Sequence, residues 1–255
     1  MITEAILTKE KAVIPYVTAG LPDLDTTGEI LKVLDEAGAA AIEIGIPFSD
    51  PMADGPVLQK ASYAALQAGF SLDRLLSRLE KWSGSVRAPL IIMSYINPIM
   101  RRGIKETFSI LREKGVQGLI LPDMPLDGHE LFTMCRDSGL DLIRLVAPTT
   151  PLERQKEVVS QCSGFVYAVT VKGVTGARSS LPAEIRRQVS DIKSFTDLPV
   201  CAGFGVSNAD QVKDMLTFAD GVIVGSWLMG RIMEAEKPVM AARQMFVELM
   251  GSKRI

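Results

Sequence analysis

AIEIGIPFSDPMADGPVLQ, residues 41–59, starts as an apolar run, turns sharply and resumes as a helix. Ala41, Ile42, Ile44 and Ile46 have the near-continuous hydrophobicity of a strand covered on both faces, as in a parallel sheet. Gly45, Pro47, Pro51, Gly55 and Pro56 punctuate the turn, and helical spacing returns near Val57. Glu43 breaks the apolar run. A carboxylate inside a buried strand needs a partner or a task. Asp50 and Asp54 lie on the turn that follows. Two carboxyl groups in different settings can have their pKa values driven apart, which supplies an acid and a base from one chemical group. A plainer reading stands beside this one: Glu43 pairs with a buried Arg or Lys, and the aspartates only form the turn.

The same unit, an apolar run followed by a turn and a helix-period segment, recurs outward from this stretch. Runs fall at 13–18, 39–45, 89–95, 118–122, 140–146, 165–171, 198–203 and 221–225. Helices are predicted near 24–37, 57–68, 72–82, 104–114, 128–138, 183–194 and up to about 217, with a last helical region broken at Pro238. A further helix opens near Pro151, with Thr149 and Thr150 as candidate caps, and Ser207 is the candidate cap of the helix after run seven. Two helices follow the second run, one more than simple alternation requires. Eight such units in 255 residues match an α/β fold of the (β/α)8 TIM-barrel kind, with an extra helix after strand 2. A doubly wound sheet is the alternative. No linker, low-complexity tract or shorter repeat interrupts the pattern, so one barrel domain over residues 1–255 is expected.

Composition narrows the function. The net charge of −2 gives no basic stripe for nucleic acid, and no apolar run approaches membrane-spanning length. The N-terminal residues lack a signal-peptide layout, and Cys135, Cys162 and Cys201 are scattered, so a reduced cytoplasmic protein is expected. The single histidine, His129, rules out metal sites built from several His and is expected on a helix surface. Acid–base chemistry then falls to carboxylates, Tyr or Lys.

In a barrel, functional groups gather just after the strands. Three bare loops lie there in the last third: GVTGAR (173–178), GFGVS (203–207) and Gly225–Ser226. Glycine lets a phosphate approach backbone N–H groups closely, and a helix N-terminus adds a favourable dipole. Glycine also serves ordinary tight turns. The loops fit neither a Walker A motif nor a dinucleotide fingerprint. From the residues alone, this is a barrel enzyme for a phosphorylated small molecule using carboxylate chemistry, and its reaction stays open.

The segments VIPYVTAGLPD, IEIGIPFSDPMADGPVLQKAS, GVTGAR, CAGFGVS and VIVGS closely resemble the tryptophan synthase α-subunit family, from about Ile14 to the last helix. The resemblance implies a (β/α)8 barrel that cleaves indole-3-glycerol phosphate by a retro-aldol reaction to indole and glyceraldehyde 3-phosphate. It also implies a β-subunit partner in an α2β2 complex and no cofactor. By position, the family's acid–base glutamate falls on Glu43 and its loop aspartate on Asp54. Tyr16, Met93, Ile120 and Tyr167 match substrate-pocket positions, and Thr175 matches a threonine that steadies the aspartate on loop closure. The family's phosphate site falls on Gly176, Phe204, Gly205, Gly225 and Ser226. Asp50, Pro51 and Met52 fall on the loop that faces the β subunit.

The segment before the first strand is short, so the family's N-terminal helix is expected to be cut down or missing. Other readings compatible with these residues are a stand-alone lyase that releases free indole, a non-catalytic partner that activates a β subunit, and an unrelated phosphosugar barrel enzyme.

Overall fold

The computed structural model describes residues 1–169, 183–203 and 205–251. Eight parallel strands close into a barrel in sequence order, with the eighth returning to the first. The chain opens with α1 (Ile2–Leu7), then β1 (Val13–Thr18), α2 (Leu24–Glu36) and β2 (Ile42–Gly45). Two helices follow, α3 (Pro56–Gln67) and α4 (Leu72–Ser83), before β3 (Leu90–Met93). Next come α5 (Ile96–Arg102), α6 (Ile104–Glu113), β4 (Val116–Ile120), α7 (His129–Ser138), β5 (Asp141–Val146) and α8 (Leu152–Ser160). The last part runs β6 (Val166–Val169), α9 (Ala183–Lys193), β7 (Val200–Gly203), α10 (Ala209–Met215), β8 (Gly221–Val224), α11 (Ser226–Glu234) and α12 (Pro238–Leu249). The closed ring sets aside the doubly wound alternative. The extra helix after the second strand is α3.

Strand period places alternate side chains on opposite faces of the sheet, which creates two cores. Outward residues such as Val17, Ile44, Ile92, Leu119 and Val222 pack under helices whose apolar stripes repeat at helical spacing. In α4 that stripe is Leu75, Leu76, Leu79 and Trp82, started by the Ser71 side chain accepting from the Arg74 amide. Inward residues Ile14, Ile91, Ile120, Ile143, Phe165, Cys201 and Ile223 form a second cluster along the barrel axis. Ile2 and Ile6 of α1 join this inner cluster and close the N-terminal end of the barrel. Close approach of α1 needs Gly118, where a Cβ would stand 2.6 Å from Ile2 Cδ1.

An N-terminal helix is therefore present, six residues long. Three local expectations need correction. The chain between β3 and α6 forms α5, a short helix that the apolar pattern left unmarked because only Ile99 in it is buried. Asn208 rather than Ser207 caps α10, its Oδ1 accepting from the Gln211 amide at 2.9 Å. No side chain caps α8; Pro151 occupies its N-cap position, and the Thr150 carbonyl instead accepts from Gln155 Nε2. His129 sits exposed at the start of α7, as the sequence suggested. Among the described residues no helix is long and apolar enough to cross a membrane.

Candidate active site

Glu43 is placed by β2. Ala41 belongs to the inner cluster and Gly45 faces the Tyr16 phenol, so the period of two turns Glu43 inward as well. Its side chain is 1 % exposed. Its Oε1 has no hydrogen-bond partner, and Glu43 takes part in none of the ion pairs among the described residues. Pairing with a buried Arg or Lys, the plainer reading, is thereby excluded among the described residues. Burial alone pushes the carboxyl from 4.5 up to about 8. A neutral acid at physiological pH follows, ready to give a proton.

Two phenols lean across the barrel mouth beside it. Tyr16 is in register with Glu43 on the neighbouring strand. A Cβ on Gly45 would fall 1.9 Å from the Tyr16 hydroxyl, so the absence of a side chain there is what lets the ring lie over β2. The arrangement repeats across the barrel, where a Cβ on Gly203 would fall 2.6 Å from the Tyr167 hydroxyl. Burial raises the Tyr16 phenol above its ordinary range, and the Asp54 charge raises it further. Tyr167 is raised by burial and then by the Glu43 charge, with Asp54 also contributing. Both hydroxyls thus lie within the field of both carboxyl groups and remain protonated. Met93 and Ile120 end β3 and β4 and add apolar wall on the same face.

Asp54 reaches this space from the loop after β2. The loop tip is exposed at Asp50 and, at 92 %, Met52, with Pro51 half-buried between them. The Met52 amide donates to the Asp50 carbonyl at 2.9 Å, so Asp50 does form a turn. Two residues beyond Met52 the chain dives inward, and Asp54 is 8 % exposed. The Ala53 amide donates to the Tyr95 hydroxyl at 2.8 Å, and Tyr95 stacks on Phe48 with ring centroids 5.2 Å apart. Reading the sequence missed Tyr95 and Phe48. Tyr95 lies just after β3, the position where a barrel puts functional groups, and that was the available signal.

On the opposite side of the mouth, Gly205 has φ +35° and nothing within 4 Å of where a Cβ would stand. That is open backbone in a conformation favouring glycine. Gly225 is the N-cap of α11 and Ser226 its first residue, with no side-chain hydrogen bond closing the first turn. Such a terminus offers N–H donors to an anion. Thr175, Gly176 and Phe204 lie outside the described residues. No group of three His, Cys, Asp or Glu side chains able to hold a metal occurs among the described residues. His129, Lys105, Arg112 and Asp137 line a cleft of about 810 Å³ between α6 and α7, on the outer surface of the barrel.

The family described as "Tryptophan synthase alpha chain" matches residues 3–253. The tryptophan synthase alpha chain of Carboxydothermus hydrogenoformans is 47% identical over 221 residues, covering 86% of this chain and 83% of that protein. The tryptophan synthase A-subunit of Pyrococcus furiosus superposes with a TM-score of 0.89 at 36% identity, covering 95% of this chain and 99% of that one. A chain from the tryptophan synthase α2β2 complex of the same organism gives a TM-score of 0.90 at 37% identity, with the same coverage.

Proposed function

This chain belongs to the tryptophan synthase alpha chain family, and from that premise we propose how its side chains divide the family's reaction. The reaction is retro-aldol cleavage of indole-3-glycerol phosphate to indole and glyceraldehyde 3-phosphate, in tryptophan biosynthesis. The partner is the β subunit of an α2β2 complex, and the enzyme is cytoplasmic.

The chemistry asks for one proton to arrive and another to leave. Protonating indole C3 turns the ring into an indolenine with positive charge on nitrogen. The bond from C3 to the glycerol chain then breaks, and its electrons restore the aromatic ring. The carbon that leaves becomes an aldehyde as its hydroxyl loses a proton. Glu43 gives the first proton and takes the second, so one carboxyl completes the cycle unchanged. The single observation that carries this role is its burial without a hydrogen-bond partner on Oε1, which keeps it protonated to about pH 8.

Asp54 accepts from the ring N–H and stabilises the positive charge that develops there. Tyr16, Met93, Ile120 and Tyr167 flank the planar heterocycle. Amides at Gly205, Gly225 and Ser226 hold the phosphate, together with Gly176 and Phe204. Thr175 steadies Asp54 when the loops close and water is excluded. Asp50, Pro51 and Met52 face the β subunit, so the partner docks on the loop that carries Asp54.

The test is indole release from indole-3-glycerol phosphate by the purified chain, alone and with a cognate β subunit. Slow release that the partner accelerates is expected. Fast release without a partner would mark a stand-alone lyase. No release in either setting would return the chain to a non-catalytic activating role or to another phosphorylated substrate.

A further inference from the structure

Backbone hydrogen bonds shape the chain at Ala53 and Asp54, three of them as follows. The Asp54 amide donates to the Pro51 carbonyl at 3.1 Å, and the Asp54 carbonyl accepts from Gln59 Nε2 at 2.9 Å. Both stay within the loop and the helix it opens. The third bond, from the Ala53 amide to the Tyr95 hydroxyl at 2.8 Å, crosses to the wall.

Tyr95 is itself held firmly. It lies two residues beyond the last residue of β3, Met93, whose carbonyl accepts from the Ile46 amide at 2.8 Å and so continues the β2–β3 ladder. Its ring stacks on Phe48 at 28° between planes, and its carbonyl accepts from Ser94 Oγ at 2.7 Å. The next amide, Ile96, donates to both oxygens of Asp123 at 3.0 and 3.1 Å, which ties the start of α5 to the loop after β4. Tyr95 is 6 % exposed, whereas Ala53 is exposed. A rigid, buried hydroxyl therefore grips a surface loop one residue before the catalytic-candidate carboxyl, where the chain turns from the exposed Met52 to the buried Asp54. Burial, and then the nearby Asp54 charge, push the phenol up to about 12, so it stays a neutral acceptor across the working range.

We propose that Tyr95 is a positioning residue for Asp54: its hydroxyl, fixed at the end of β3, holds the Ala53 amide and so sets where the neighbouring carboxyl sits. This rests on the role given to Asp54 above. Tyr95 need not touch the substrate. It acts by limiting how far the loop can drift, and a misplacement of about 1 Å is enough to cost a large factor in rate. The link also joins the loop that faces the β subunit to the loops after β3 and β4.

Tyr95→Phe keeps the ring and its stacking on Phe48 and removes only the oxygen. In the complex with a cognate β subunit, kcat should fall about tenfold, the scale of one lost hydrogen bond, with KM within about threefold. Added to Asp54→Asn, the same change should cost almost nothing more, because the group it positions is already gone. Hydrogen exchange at the Ala53 amide should quicken about tenfold in the isolated variant. An unchanged kcat overturns the proposal. So does an equal loss in the wild-type and Asp54→Asn backgrounds, which would mean a merely structural role. Unchanged exchange at Ala53 overturns the anchor independently of any turnover. Absence of cleavage by the wild-type complex would instead remove the role of Asp54, while the exchange measurement still judges the anchor.

Discussion

The N-terminal end of the barrel and its C-terminal mouth are made from the same eight strands under opposite rules. At the N-terminal end, Ile2 and Ile6 of α1 fill the space left by Ile14, Ile91, Ile143, Phe165, Cys201 and Ile223. Thr3 Oγ1 meets the Gly164 carbonyl at 2.8 Å, so even the polar group there is satisfied. At the mouth, Gly45 and Gly203 leave room where a core would put side chains, two phenols occupy it, and a carboxyl is buried with an unpaired oxygen. One end is packed for stability. The other keeps a cost that the proposed reaction accounts for.

The sharpest way to break this contrast is Glu43→Gln. Cleavage should fall about 10³-fold or more, because the amide cannot deliver a proton. Stability should move the other way. A carboxyl whose pKa rises from 4.5 to about 8 on folding costs nothing below its ordinary range and progressively more as pH climbs toward 8. The Gln variant should therefore be more stable than wild type by up to about 4 kcal/mol near pH 8, and no more stable near pH 4.5, in urea unfolding at the two pH values. Equal stability at both would remove the burial cost.

Ile6→Ala tests the other end. It should destabilise the fold by about 2–4 kcal/mol through the lost packing and the space left behind, with turnover at low temperature within about twofold of wild type. A large loss of turnover at unchanged stability would show that the two ends are not separable. Next in size is Asp54→Asn, where turnover should drop about 10²-fold with the melting temperature unmoved. Wild-type turnover would refute its role toward the ring nitrogen. Smallest is Gly45→Ala. Its methyl would fall 1.9 Å from the Tyr16 hydroxyl and swing the ring out of the pocket. Steady-state kinetics should show kcat/KM lower by about tenfold, roughly the effect of a disturbed pocket wall. An unaffected kcat/KM would place Tyr16 away from the substrate.

The contrast also explains what reading residues alone could reach. Strands and most helices were legible because near-continuous apolar runs and helical stripes are one-dimensional patterns, and β1 was read to the residue. Glu43 stood out because it violates its own strand. Two short helices were not legible. In α1 only Ile2 and Ile6 are buried, and in α5 only Ile99, too few to set a period. Capping at Asn208 rather than Ser207 is a difference of one position between two competent cap residues. The Tyr95 anchor joins residues far apart in sequence, and nothing in either stretch announces the other. Likewise Gly45 reads as a turn glycine and Gly203 as the start of a bare phosphate loop, whereas their neighbours in space are phenols on adjoining strands.

The most direct test of the central claim, that a buried, protonated Glu43 drives cleavage, is the pH dependence of kcat/KM for the complex with a β subunit, measured beside Glu43→Gln. Expected is a limb that falls with rising pH, with its midpoint near 8, the value burial gives this carboxyl, while the Gln variant stays at background throughout. A rate that holds level to about pH 10, or a Gln variant with more than about a tenth of wild-type activity, would contradict it.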